Sequence, residues 1–270
     1  PSAALTTLEA LQLGADDYVA KPSGSQARAD IIASLRRELL PKIEALCRRR
    51  DPSLSVQPAA PLATKRRALP PRVDVVAVAA STGGPTALAT LLAGLPARLP
   101  VPLLIVQHMP PIFTQMLATR LADQSKLPVL EAKGGERLTP GCAYVAPGGQ
   151  HLAVTRDAQG VRVSLSEEPP ENFCRPAADV LFRSVAAVYG AGTLGIVLTG
   201  MGQDGLKGSE LISQAGGQLF VQDLETSAVW GMPGFVARAG LADKVLPLGK
   251  LAGEIAAALT LGRPELVGSL

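Results

Sequence analysis

The sequence predicts an α/β protein: a doubly wound, mostly parallel sheet with an antiparallel segment. Three observations carry this reading. From residue 73 onward, short apolar runs of strand length alternate with stretches of helical periodicity. The runs "VDVVAVAA" (73–80), "VPLLIVQ" (101–107) and "TLGIVLT" (193–199) are almost continuously apolar, as strands covered on both faces require. Aromatic residues make up only 3% of the chain, so Ala, Val, Leu and Ile must fill the core, a composition suited to helices packed on a parallel sheet.

The 270 residues are 47% hydrophobic and 18% charged, enough for one or two globular domains with a buried core. Residues 5–14, "LTTLEALQLG", have helical spacing and end on a glycine cap. "ADDYVAKP" (15–22) reads as a short strand, and 25–50 as a long amphipathic helix with a break at Pro41. Residues 51–71 are proline-rich without hydrophobic periodicity and form a linker. Beyond the strand 73–80, a helix starts near Pro85. The strand 101–107 is followed by a helix over 110–125. Four β-type pieces then cover 128–132, 142–147, 151–156 and 161–166, which together suggest the antiparallel segment. A helix over 176–190 precedes the strand 193–199. Helices over 205–215, 233–240 and 250–262 alternate with strands over 217–223 and 243–248.

No apolar run reaches the roughly 18–20 residues that span a bilayer, so direct membrane insertion is not expected. The three cysteines, Cys47, Cys142 and Cys174, have no metal-ligand spacing and suit a cytoplasmic setting without disulfides. Neither of the two histidines, His108 and His151, has a second ligand four residues away; no metal site and no cofactor is expected. Twelve Lys and Arg against seven Asp and Glu leave residues 1–72 at net +5, concentrated in "CRRR" (47–50) and "TKRR" (64–67). Without interleaved aromatics to stack bases, this excess marks a solvated helix end and linker rather than a nucleic-acid surface.

Sites in open α/β sheets form beyond the carboxyl ends of the strands. Three polar residues lie there: Ser81 after 73–80, His108 after 101–107 and Asp204 after 193–199. They are a nucleophile, a base and an orienting carboxylate, the set that acyl transfer needs. Gly83 and Gly84 leave space beside Ser81 for a substrate, and the start of the next helix supplies N–H groups for an oxyanion. Each residue also has a plain reading: a helix cap, a half-buried histidine, an Asp-Gly turn. Phosphate binding is a further reading of "STGG", although the stretch fits neither dinucleotide nor P-loop spacing. It also fails the G-x-S-x-G elbow. His151, in "APGGQHLAV", ranks below His108 as a base.

The ordered motifs "AASTGGP", "VQHMPPIFT", "YVAPGGQHL", "RPAADVLFRSVA", "LTGMGQDG" and "WGMPG" resemble those of the chemotaxis protein-glutamate methylesterase family (CheB). The resemblance covers about residues 72–262. It implies a Ser-His-Asp triad that hydrolyses glutamyl methyl esters on chemoreceptor cytoplasmic helices, releasing methanol, and that also deamidates receptor glutamines. It implies Ser81 as nucleophile, His108 as base and Asp204 as orienting carboxylate, with the Thr82 and Met201 N–H groups as oxyanion donors. Phe173-Cys174 departs from the more polar residues common at these positions. The alternative is a non-catalytic receptor-binding signalling module of the same fold. Residues 1–50, with "LEALQLGADDYVAKP", resemble the end of a response-regulator receiver, Lys21 matching its phosphoryl-contacting lysine. Asp16 and Asp17 do not match the phospho-acceptor. The expectation is therefore a receiver remnant (1–50), a linker (51–71) and a catalytic domain (72–270). The remnant is expected to be loosely held, leaving the site constitutively open. A histidine kinase is expected as partner only where a full receiver is present.

Overall fold

The computed structural model describes residues 72–261 without a break, and before them isolated positions between 6 and 47. Seven strands form one sheet in the order β3-β4-β2-β1-β7-β8-β9. They are β1 (Val75–Ala80), β2 (Leu103–Gln107), β3 (Val129–Glu131), β4 (Ala143–Val145), β7 (Thr193–Val197), β8 (Gln218–Gln222) and β9 (Lys244–Leu246), and every neighbouring pair is parallel. A separate antiparallel hairpin pairs β5 (His151–Asp157) with β6 (Gly160–Ser166). Parallel neighbours need crossovers. These are α1 (Gly84–Gly94), α2 (Pro111–Gln124), α3 (Ala178–Tyr189), α4 (Leu206–Gln214) and α5 (Met232–Arg238), with α6 (Leu248–Thr260) closing the chain's described part.

The period-two alternation of strand side chains divides the core in two. Val76, Val78 and Ala80 of β1 point with Leu103 and Ile105 toward Leu88, Leu91, Leu117 and Ile255 of α1, α2 and α6. Val75, Ala77 and Ala79 point the other way, with Leu104 and Val106, toward Phe182 of α3, Ile212 of α4, Val236 of α5 and the hairpin's Leu152 and Val163. All residues of β1, β2 and β7 are buried, which is why their sequences carry no polar alternation.

Two expectations need correction. The pieces at 128–132 and 142–147 are not part of the antiparallel segment: β3 and β4 extend the main sheet in parallel, and only β5 and β6 are antiparallel. Strands of three residues are too short to show the continuous apolar run that marked the central ones. The described positions of the expected strand 15–22 (15 and 17–19) form no strand. Their side chains serve other contacts: the Tyr18 ring stacks on Phe113 of α2 at 4.8 Å, and Asp17 Oδ2 lies 2.9 Å from Lys42 Nζ. The linker 51–71 and Lys21 fall outside the described residues. Among the described residues, no helix is long and apolar enough to cross a membrane.

Phe182 and Phe220 are the largest fully buried side chains, and Phe182 lies under the loop that carries Asp204. Phe182→Ala is expected to cost about 3–5 kcal/mol of stability, read as a lower denaturant midpoint at unchanged slope.

Candidate active site

The sheet reverses its winding at β1, with β2 on one side and β7 on the other. Ser81, His108 and Asp204 leave the carboxyl ends of these three adjacent strands, at the switch point where such sheets open a crevice. The Ser81 N–H donates to the Thr199 carbonyl (3.0 Å), and the Ser81 carbonyl accepts from Gln107 Nε2 (2.9 Å) and the Gly84 N–H (2.8 Å). The backbone carrying Ser81 is thus tied to both neighbouring strand ends. The His108 N–H donates to the Ala80 carbonyl (3.1 Å).

Gly83 caps α1 with φ +76°, and Pro85 pre-sets the first turn. Gly83 and Gly84 are expected to leave space for a substrate; in the structure their missing side chains make room for the protein itself. A Cβ on Gly84 would sit 1.9 Å from Gln107 Oε1, and one on Gly83 would sit 2.5 Å from the Ala228 Cβ. The Thr82 and Met201 N–H groups have no partner among the described residues. The Thr82 hydroxyl donates to Asp17 Oδ2 at 2.8 Å, an N-terminal contact one residue from Ser81.

His108 Nε2 lies 2.7 Å from Asp204 Oδ2. Asp204 is 2% exposed, and the rest of its carboxylate is saturated. Oδ2 accepts from the Ala178 N–H (2.6 Å), while Oδ1 accepts from the Asp179 N–H (3.1 Å), the Gly205 N–H (3.0 Å) and Asn172 Nδ2 (2.9 Å). Two of these donors open α3, so the helix turns its positive end on the carboxylate. Burial pushes Asp204 up, but the His108 bond and charge and the α3 N–H groups outweigh it and hold the carboxyl below 3.8. Burial likewise pulls His108 down. The Asp204 and Cys174 bonds outweigh it and raise the imidazole from 6.5 to about 10.

The second ring nitrogen, His108 Nδ1, lies 3.5 Å from Cys174 Sγ. His108, Cys174 and Asp204 offer donor atoms within 4.8 Å of one another. Because Asp204 already engages His108 Nε2 and the N–H donors, only Nδ1 and Sγ are left for an ion, a two-ligand set. His151 is 1% exposed; its Nδ1 accepts from the Ala177 N–H (3.2 Å) and its Nε2 donates to the Pro169 carbonyl (3.1 Å). With both nitrogens committed to the backbone, it fixes the approach to α3 and is no base.

The CheB methylesterase family model matches residues 76–255. A protein-glutamate methylesterase/protein-glutamine glutaminase of Trichodesmium erythraeum is 50% identical over 258 residues, spanning 93% of this chain and 73% of that protein. One of the same name from Nocardioides is 47% identical over 271 residues, spanning 98% and 74%. The crystal structure of the Thermotoga maritima CheB methylesterase catalytic domain superposes with TM-score 0.68 at 40% identity, covering 69% of this chain and 99% of that one.

This chain belongs to the CheB methylesterase family.

Several residues at this CheB-family site were not singled out from the sequence. Asn172 bridges Asp204 Oδ1 and Asp179 Oδ2 (2.8 Å) through one amide nitrogen, and its φ of 50° is left-handed. Gly200 packs so close to Ser81 that a Cβ would lie 2.8 Å from the Ser81 Cβ and 2.4 Å from Met232 Sδ. "TGMGQDG" carried a signal for Gly200 in its glycine density; nothing local to Asn172 announced a contact 32 residues away.

The chain has only two histidines, so ring NMR signals resolve His108. It is expected to titrate near 10, and Asp204→Asn should move that midpoint down. The raised value means that the imidazolium adds stability fully below pH 6.5, lost as pH rises through about 10. Asp204 adds stability above 3.8, lost as pH falls through its depressed value. The excess in melting temperature of the wild type over His108→Ala should therefore peak between pH 3.8 and 6.5 and shrink toward pH 10. A difference that grows with rising pH would refute the assignment.

Proposed function

We propose that this chain is a serine hydrolase that removes methyl esters from glutamyl residues of chemoreceptors, releasing methanol, and that also deamidates receptor glutamines. Family membership supports the reaction. What supports the residue roles is the 2.7 Å His108–Asp204 contact beyond β2 and β7, on either side of the strand that leads into Ser81.

In this reading Ser81 Oγ attacks the ester carbonyl and its proton passes to Nδ1 of His108, the nitrogen not held by Asp204. The carbonyl oxygen becomes an oxyanion, received by the Thr82 and Met201 N–H groups. His108 then protonates the departing methoxide, and methanol leaves a glutamyl–Ser81 ester. Water, deprotonated by His108, attacks that ester; collapse returns the proton to Ser81 and frees the glutamate. With glutamine the same path expels ammonia. Asp204 holds the ring orientation and stays ionised throughout. A base raised to about 10 is mostly protonated at neutral pH, so turnover should climb as the solution is made alkaline.

Residues 72–270 carry this activity in the proposal, with 51–71 as a linker and 1–50 as a receiver remnant. A receptor-binding module without chemistry has no need of a buried carboxylate aligned on an imidazole, so no observation favours that alternative. The deciding experiment is methanol release from methylated receptor membranes. Ser81→Ala should lower it by at least about 10³-fold. Methanol released at the wild-type rate by that variant overturns the assignment of the nucleophile.

A further inference from the structure

We propose that Cys174 is a thiol modification site for small-molecule disulfides, and that its occupation closes the candidate active site. The sulfur lies 3.5 Å from His108 Nδ1. Asp204 holds the opposite nitrogen at 2.7 Å, so thiol, imidazole and carboxylate stand in line. This is the arrangement in which an imidazolium, held by a carboxylate, stabilises a neighbouring thiolate. Cys174 is only half-buried, so a reagent can reach it, while Cys142 is 8% exposed and its burial pushes the thiol up. The chain presents Cys174 on a turn whose two preceding residues, Asn172 and Phe173, have φ of 50° and 63°. The Phe173 side chain is fully exposed. For a bulky aromatic that conformation is strained, and here the Asn172 bonds to Asp204 and Asp179 hold it.

The chemistry is an exchange. The Cys174 thiol loses its proton to solvent beside the His108 imidazolium, and the thiolate attacks one sulfur of R–S–S–R. A Cys174–S–S–R bond forms, the R–S–S–R bond breaks, and R–S⁻ leaves and takes up a proton. Cys174 is oxidised and the leaving sulfur reduced, so no other oxidant is needed. The adduct then occupies the space beside Nδ1, where the proton of Ser81 must arrive. A thiol reductant reverses it. The effect on turnover rests on the proposed esterase reading; the thiol reactivity does not.

The test treats the full chain with glutathione disulfide and reads each cysteine by peptide mass, with exposed Cys47 as internal reference. Cys174 should react at least tenfold faster than Cys47, and His108→Ala should bring it down to the Cys47 rate. The fraction of methanol release lost should follow the fraction of Cys174 modified and return with dithiothreitol, while Cys174→Ser loses none of its own activity on treatment. Equal rates at Cys174 and Cys47 in the unmutated chain overturn the proposal, as does complete modification of Cys174 with methanol release intact. A wild type that releases no methanol overturns the esterase reading alone, because the mass-read rates still decide whether Cys174 is activated by His108.

Discussion

The Asp204 carboxylate is the constraint on which the site depends. An ionised carboxylate taken out of water costs several kcal/mol unless hydrogen bonds replace its hydration. Here one side-chain amide, three backbone N–H groups and the His108 ring surround it. Meeting that requirement fixes much else. The Ala178 and Asp179 donors set where α3 begins, Asn172 pins the turn before it, and the Gly205 N–H closes the carboxylate's own loop on it. The charge survives burial because it faces a helix N-terminus and an imidazolium, and that charge keeps His108 in one orientation.

The sheet supplies the remaining geometry. Ser81 follows the central strand and has β2 and β7 as neighbours, so side chains leaving those strands converge on it without long excursions of backbone. The Thr199 carbonyl and the Gln107 amide grip the Ser81 backbone from either side. The absence of side chains at Gly84 and Gly200 lets these groups close in. The glycines around Ser81 are thus first a packing requirement: a methyl group at either position would push apart the strand ends that bring the three polar residues together.

The central strands, the crossover helices and the polar residues at 81, 108 and 204 were legible because each rests on local sequence: an apolar run, a helical period, a side chain just past a strand end. What stayed hidden depends on contacts distant along the chain. Val129–Glu131 and Ala143–Val145 join the main sheet by pairing with partners that no three-residue pattern specifies. Glycines 83 and 84 were legible as a turn, but the Gln107 and Ala228 atoms they make room for were not. Asn172 and Cys174 reach the site through a turn with two left-handed non-glycine residues, a conformation that local propensity argues against. Such conformations persist where surrounding bonds over-determine them, so the place where the sequence misled is a place where the site imposes its own demands.

His108 sets apart the tendencies of two buried acids to carry charge. Asp179 and Asp204 are both nearly inaccessible and share a single amide nitrogen. Burial pushes Asp179 up, and the neighbouring charge of Asp204 adds to that. Asp204 alone has the His108 partner, and its carboxyl is held down. Two carboxyl groups so close together are stable when their environments drive them apart. The acid held down is the one aligned on the imidazole, while its neighbour binds the Gly208 N–H at 2.7 Å and ties α3 to α4. The imidazole therefore distinguishes two carboxyl groups that share one bridging amide.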